Sequence, residues 1–274
     1  MTSENMDRCV YRLAYEFLTS RQSITREVVD SYLVTPPRPG TLPEIYMRLI
    51  GSIQNANLRA NVIGGSIGGV DKLSRVLVGF APNKVVEKYG DDADCLLDLI
   101  VSTLRPSGEV RRDKRSCWPQ FCRAVLDGAK FLNNFSDVSD FYEWADFFDR
   151  DDRARDALPL LMERKIYGIG FALACDFLKE IGYEKFGKPD IHLRDIFVAL
   201  RLADPSSNDY ELLQAIGRVA ESNRVTPYST DKLFWLIGSG KFYMHPLIGK
   251  NGRIGRQKKA FIELALSGSV NPVG

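Results

Sequence analysis

Apolar residues recur at three- and four-residue spacing through most of this 274-residue chain, whereas the strict alternation of a half-buried strand is scarce. The spacing predicts helices over Tyr11 to Leu18, Glu44 to Leu58, Phe121 to Asn133, Ala157 to Glu163, Phe171 to Ile181, Ile191 to Leu202 and Tyr210 to Ser222. A chain so patterned must bury helix against helix, and the expected fold class is all-α. Three prolines and a glycine in Thr35-Pro-Pro-Arg-Pro-Gly-Thr41 cannot continue a helix, so a linker follows an N-terminal helical pair. Further breaks are expected at Gly64 to Gly69, Pro106 to Gly108, Ser116 to Pro119 and Pro205 to Asn208, with a small-residue tail from Ser267 to Gly274.

Hydrophobic residues at 45% and charged residues at 26% are ordinary globular values. No apolar run reaches bilayer length, and the acidic, amphipathic N-terminus is unlike a signal peptide. The expectation is an intracellular monomer of the cytosol, nucleoid or nucleus, with no membrane partner. Cys9, Cys95, Cys117, Cys122 and Cys175 are scattered and lack the close pairs of a zinc or iron–sulfur site, so reduced thiols are expected. The net charge of +2 hides an uneven distribution. Basic residues gather from Arg105 to Arg123 (Arg111, Arg112, Lys114, Arg115) and from Lys241 to Lys259, whereas Asp137 to Asp156 is acidic. Such runs are either solvated faces or part of a basic surface for nucleic acid.

The stretch from Ala157 to Ile181 carries two amphipathic helices around Gly168-Ile169-Gly170. Two glycines one apart permit positive φ and a bare backbone, and amides at the start of the helix near Phe171 suit a phosphate. Ile169 is expected to point inward between the helices. One helix later, Phe186-Gly-Lys-Pro-Asp-Ile-His-Leu193 sets Asp190 at an N-cap-like position before a new apolar helix. By itself that position fits a helix cap as well as a reactive carboxylate.

Gly168-Ile169-Gly170 with Ala174, then Phe186-Gly187 and Pro189-Asp190-Ile191-His192-Leu193, resembles the helix-hairpin-helix DNA glycosylase superfamily. Leu49 to Asn57 and Thr230 to Gly240 resemble its early Gln-containing turn and its last helix, so the resemblance spans roughly Pro43 to Gly240. It implies two helical layers with a DNA-binding cleft between them and Asp190 at its mouth. Residues 1–42 would pack with a C-terminal part, 190–274, and 43–189 would form a central domain holding the hairpin at about 157–181.

The implied activity is hydrolysis of the N-glycosidic bond of a damaged, mismatched or modified base in double-stranded DNA. Asp190 would stabilise the oxocarbenium-like sugar and orient or activate water. Lys165, Tyr167, Gly168, Ile169, Gly170 and Ala172 would grip the DNA backbone. Gln54 and Asn55 would fill the gap left by a flipped nucleotide, although a polar helix end accounts for them as well. Tyr46, Trp144, Phe171 and Trp235 are candidates to stack on the extruded base, with Trp118 and Phe234 beside them, and a core role stays open for each. Lys250, Arg253 and Arg256 are candidates for phosphate contacts. His192 joins them as a DNA contact without acid–base work.

Four departures refine this. Family members that also cut the sugar-phosphate chain carry a lysine two positions after the second hairpin glycine, where this chain has Ala172, so a monofunctional enzyme is expected. Lys165, Lys185 and Lys188 are the candidates for a relocated amine. No cysteine follows Gly240, so no iron–sulfur cluster is implied, and the only cofactor suggested is a monovalent cation at the hairpin carbonyls. Asp195 stands where an arginine is frequent, with Arg194 displaced by one. The helix from Met47 to Ile53 lacks the glutamate of adenine-removing relatives. The rival readings are a non-catalytic hairpin DNA-binding protein and a bifunctional glycosylase/lyase.

Overall fold

The computed structural model describes residues 3–55 and 62–267. The expected helix end at Leu58, the turn residues 56 and 57 and the tail at 268–274 lie outside them. In chain order the first seven helices are α1 (Ser3–Thr19), α2 (Arg26–Leu33), α3 (Leu42–Ile53), α4 (Val62–Ile67), α5 (Pro82–Tyr89), α6 (Ala93–Leu104) and α7 (Cys117–Leu132). Seven more follow: α8 (Val138–Asp149), α9 (Ala157–Lys165), α10 (Phe171–Glu180), α11 (Ile191–Ala199), α12 (Asp209–Asn223), α13 (Pro227–Ser239) and α14 (Lys258–Ser267). Two 3-10 turns, Val70–Arg75 and Val78–Phe80, lie between α4 and α5. No strand forms among the described residues beyond isolated bridges at Lys241, Gly249 and Arg253, and the fold is all-α. None of the described helices is long and apolar enough to cross a membrane.

Capping explains six of these helix starts. Thr25, Thr41, Asp92, Asp137, Asn208 and Thr226 each accept a backbone amide of the first turn. Asn208 and Glu211 form a reciprocal capping box. Two expected breaks hold in part, with some residues of each taken into a helix. Gly64 lies inside α4, with the break displaced to Gly68 and Gly69 at φ 78° and 124°. Pro119 lies in the first turn of α7, where its missing N–H has no helical partner to lose.

Two units divide the chain, one of Met1–Pro36 with Tyr183–Gly274 and one of Pro37–Gly182. The crossings fall at 36/37 and 182/183, earlier than the 42/43 and 189/190 read from the sequence. The second shift has a packing cause: Tyr183 and Phe186 are buried, and the Tyr228 amide donates to the Glu184 carbonyl at 3.0 Å. The Gly/Pro loop therefore belongs to the unit that carries Asp190.

In that first unit the core joins Val10, Phe17 and Leu18 of α1, Tyr32 of α2, Phe197 of α11, Ile216 of α12, Phe234 of α13 and Phe261 of α14. Burying such side chains contributes roughly 1.5–3 kcal/mol each. Asp7, buried on α1, takes the Arg218 guanidinium of α12 at 2.8 Å.

In the second unit α3 packs on α7. A Cβ on Gly128 would sit 3.0 Å from Leu49 Cδ2, so a glycine is what lets the two helices approach. The Ser52 hydroxyl donates to the buried Asp176 of α10 at 3.1 Å, fixing α3 against the helix that leaves the hairpin.

Candidate active site and hairpin

Asp190 has extended backbone angles, φ −93° and ψ 176°, and caps α11. Its Oδ1 accepts from the His192 amide at 2.8 Å and the Leu193 amide at 3.1 Å. Oδ2 accepts no hydrogen bond among the described residues and is not sealed from solvent. One oxygen is thus an anchor and the other is uncommitted. Burial, followed by the nearby Asp231 charge, raises the Asp190 carboxyl above the ordinary aspartate value, against the lowering influence of His192 and Lys188.

The loop before Asp190 is held from α13. The buried Asp231 accepts the Lys188 amide on Oδ2 at 3.1 Å. A Cβ on Gly187 would lie 2.9 Å from Ile216 Cγ2 and 3.1 Å from both Asp231 Cβ and the Pro227 carbonyl oxygen, so the backbone passes where only glycine fits. Sequence reading did not single out Asp231. The available signal was Thr230-Asp231-Lys232, three polar residues buried in an otherwise apolar helix.

His192 is half-buried, and its Nδ1 is fully enclosed without a hydrogen-bond partner. Burial lowers its pKa, opposed by the Asp190 charge, so the ring is neutral at neutral pH. Its side chain walls a cavity of about 690 Å³ together with Gly238, Arg256, Lys258, Lys259, Ile262 and Glu263. The cavity brings together two of the residues expected to contact DNA, His192 and Arg256. Asp190 does not line it, but the residue whose amide holds Asp190 does.

Asp195 pairs with Lys258 at 2.5 Å, and Arg194 pairs with Asp209 at 2.7 Å. The apparent charge reversal at 195 is therefore compensated inside this unit. Lys250, Arg253 and Arg256 are exposed and form no ion pair among the described residues.

In the second unit, Ile166 to Gly170 join α9 to α10. Only one glycine uses its conformational freedom: Gly168 has φ 73°, whereas Gly170 is an extended N-cap at φ −87°. Ile169 is buried between exposed glycines. The amides of Gly168, Gly170 and Ala172 make no hydrogen bond among the described residues, while the Tyr167 amide donates to Asp127 at 2.8 Å. The Arg123 guanidinium lies 4.0 Å from the centre of the Tyr167 ring, an addition to the hairpin that sequence reading missed. Lys165 is exposed at the end of α9.

The other expected site residues are engaged locally. Gln54 Oε1 accepts the Gly64 amide at 3.2 Å, and Asn55 donates to the Gly51 carbonyl at 3.1 Å, so both serve the turn after α3. Tyr46 is fully buried with its hydroxyl donating to the Val125 carbonyl at 2.8 Å. Phe171, Trp118 and Phe234 are also buried. Those four rings are core and not base-stacking, because a ring without an exposed face has nothing to offer a base. Trp144 is wedged among Phe131, Phe135, Phe141 and Phe148. Trp235 is half-buried, edge-on to Tyr243 at 6.0 Å.

No protein-family model, curated protein or solved structure matches the chain. The functional reading therefore rests on the residues.

Proposed function

We propose that this protein is a DNA glycosylase that hydrolyses the bond between a modified or mismatched base and its sugar, with Asp190 as the catalytic carboxylate. The observation that carries the reading is the division of labour on Asp190: Oδ1 is fixed by two amides, and Oδ2 is left without a hydrogen-bond partner among the described residues. An oxygen so held stabilises the positive charge that develops on the sugar and orients a water for attack on its anomeric carbon. The proton of that water passes to the carboxylate or to solvent, and the base leaves with the glycosidic electrons.

Features within each unit, taken separately, support the same reading. The hairpin offers free amides at Gly168, Gly170 and Ala172, with Lys165 and Arg123 as nearby cations, a set that suits a phosphate backbone. The cavity beside His192, at about 690 Å³, has ample volume for a nucleotide, and Arg256 supplies an uncommitted positive charge there. The Ile166 and Gly170 carbonyls already accept hydrogen bonds within the hairpin, and the proposed mechanism assigns no step to a cation.

The test is a base-release assay over a panel of duplexes with oxidised, alkylated, deaminated, mismatched and hypermodified bases, read with and without alkali. Release from at least one duplex, lost in Asp190→Asn with duplex affinity kept, is the expected result. No release from any of them by the parent chain, with binding intact, would leave a hairpin DNA-binding protein. One observation favours keeping the lyase reading in the same experiment: Lys188 stands two residues before Asp190, on the backbone that Asp231 anchors. Borohydride trapping of a covalent adduct on an abasic duplex, abolished in Lys188→Ala, would replace the monofunctional mechanism by an amine-dependent one.

A further inference from the structure

The segment between α13 and α14 is irregular yet tightly built. The Phe242 amide donates to the Gly252 carbonyl at 2.6 Å, Lys250 to Arg253 at 3.0 Å, and Ile254 to Gly240 at 3.0 Å. Two short turns, His245 to Phe242 and Ile248 to His245, close its tip. At Gly252, with φ 71°, a Cβ would lie 2.6 Å from the Phe242 carbonyl oxygen, so the crossing admits no side chain. The Tyr32 hydroxyl accepts the Met244 amide at 2.8 Å, fastening the loop to α2. Phe242 and Ile248 are buried beneath it.

This rigid base holds apolar side chains out into water. Leu247 is 96% exposed and Met244 45%, beside Tyr243, which is 55% exposed while packing edge-on to Tyr32 and Trp235. Single exposed apolar residues are commonplace, but three on one hydrogen-bonded loop, one of them almost fully exposed, are a surface awaiting a partner. Its charge indicates which. From Lys241 to Ile262 the chain has six lysines and arginines and no carboxylate; Lys258 and Lys259 pair with Asp195 and Glu263, whereas Lys250, Arg253 and Arg256 form no ion pair among the described residues. Lys241 and Arg253 face each other across a backbone bridge, and burial, then the neighbouring Arg253 charge, lowers the Lys241 ammonium pKa.

We infer that this loop is a duplex wedge: Leu247 inserts between base steps while Lys250, Arg253 and Arg256 hold the flanking phosphates. An apolar tip on a hydrogen-bonded base, with cations on the same segment, matches the physical needs of unstacking a step, which costs a few kcal/mol and must be offset by backbone contacts. Gln54 and Asn55 are committed to their own turn, whereas Leu247 has nothing to release before it inserts. The inference rests on the reading of the partner as DNA and deepens it.

The experiment uses the full chain and a duplex carrying one 2-aminopurine, moved through successive positions beside a mismatch. Duplex affinity and its salt dependence are measured in parallel, together with binding to phosphatidylserine-containing vesicles. The parent protein is expected to raise 2-aminopurine fluorescence at one step. Leu247→Ala is expected to abolish that rise with affinity within about threefold and the salt slope unchanged, and Leu247→Phe to keep it. Lys250→Ala and Arg253→Ala are each expected to lower the salt slope by about one. Duplex binding with no rise in the parent, or with the same rise in Leu247→Ala, overturns the wedge and leaves the DNA reading standing. Failure of the parent to bind any duplex overturns both. Vesicle binding lost in Leu247→Ala, without duplex binding, assigns the loop to a membrane surface instead. Leu247 is outside the core, and unchanged circular dichroism in the variants confirms that folding is not the cause.

Discussion

The Lys188 amide donates to the buried carboxylate of Asp231 at 3.1 Å, two residues before Asp190. Asp231 thus does two things to Asp190: it anchors the backbone that leads to it, and its charge raises the Asp190 carboxyl. These effects separate in two variants. Asp231→Asn keeps an oxygen for the Lys188 amide and removes the charge, so the acid limb of the base-release profile should move to lower pH. Asp231→Ala leaves a buried amide without its acceptor and should cost about 1–3 kcal/mol by chemical denaturation. An acid limb that stays in place in Asp231→Asn would show that the charge is not felt at Asp190.

Asp190→Asn is expected to reduce base release by about 10²–10³ while preserving the start of α11, since asparagine caps as well as aspartate. Its effect on stability has a definite sign. The folded-state value of Asp190 is raised above the ordinary 3.8, so the folded protein holds this proton more tightly than the unfolded chain. That contribution is present below 3.8 and is lost as pH rises through the higher folded value. The variant lacks this loss, so thermal melts at a series of pH values should show its stability, relative to the parent, improving from acid towards neutral pH. A constant difference across that range would mean that Asp190 titrates alike in both states.

The helical class and the Asp190 cap were legible because both are local: periodicity marks the buried face of a helix, and a carboxylate before an apolar run has its partner amides two and three residues on. The aromatics were not, because Tyr46 and Trp118 look identical in sequence whether they face a cleft or a core, and only the packing of α3 and α7 decides. Asp231 was hidden for a related reason, as its partner is a backbone amide 43 residues away. The extra cation at the hairpin, Arg123, sits on a different helix from the glycines it serves.

The glycines make a paired prediction on stability. Gly187→Ala places a methyl against Ile216, Asp231 and the Pro227 carbonyl at 2.9–3.1 Å, an overpacking that should cost about 1–3 kcal/mol. Gly170→Ala meets nothing within 4 Å at an extended φ and should cost only the modest preference of an N-cap for glycine over alanine, less than Gly187→Ala. If the hairpin approaches a phosphate backbone, the same added methyl at 170 should still weaken duplex binding. A loss of stability in Gly170→Ala as large as that in Gly187→Ala, or full duplex affinity in it, would count against that close approach.

Arg123 offers the most direct check on the hairpin's partner. Its guanidinium lies over the Tyr167 ring at 4.0 Å, exposed on α7, and the Tyr167 amide is itself held by Asp127. Removing an exposed cation over a ring costs about 0.5–1 kcal/mol at most, so Arg123→Ala should melt close to the parent. If Arg123 neutralises a phosphate beside the free amides of Gly168 and Gly170, the variant should bind duplexes of every sequence more weakly. Its plot of log affinity against log salt should then be shallower by about one. Arg123→Lys restores charge but not a planar group to lie on Tyr167, so it should recover the salt slope and only part of the affinity. A variant with parent-like affinity at low salt would place the phosphate path elsewhere on this unit.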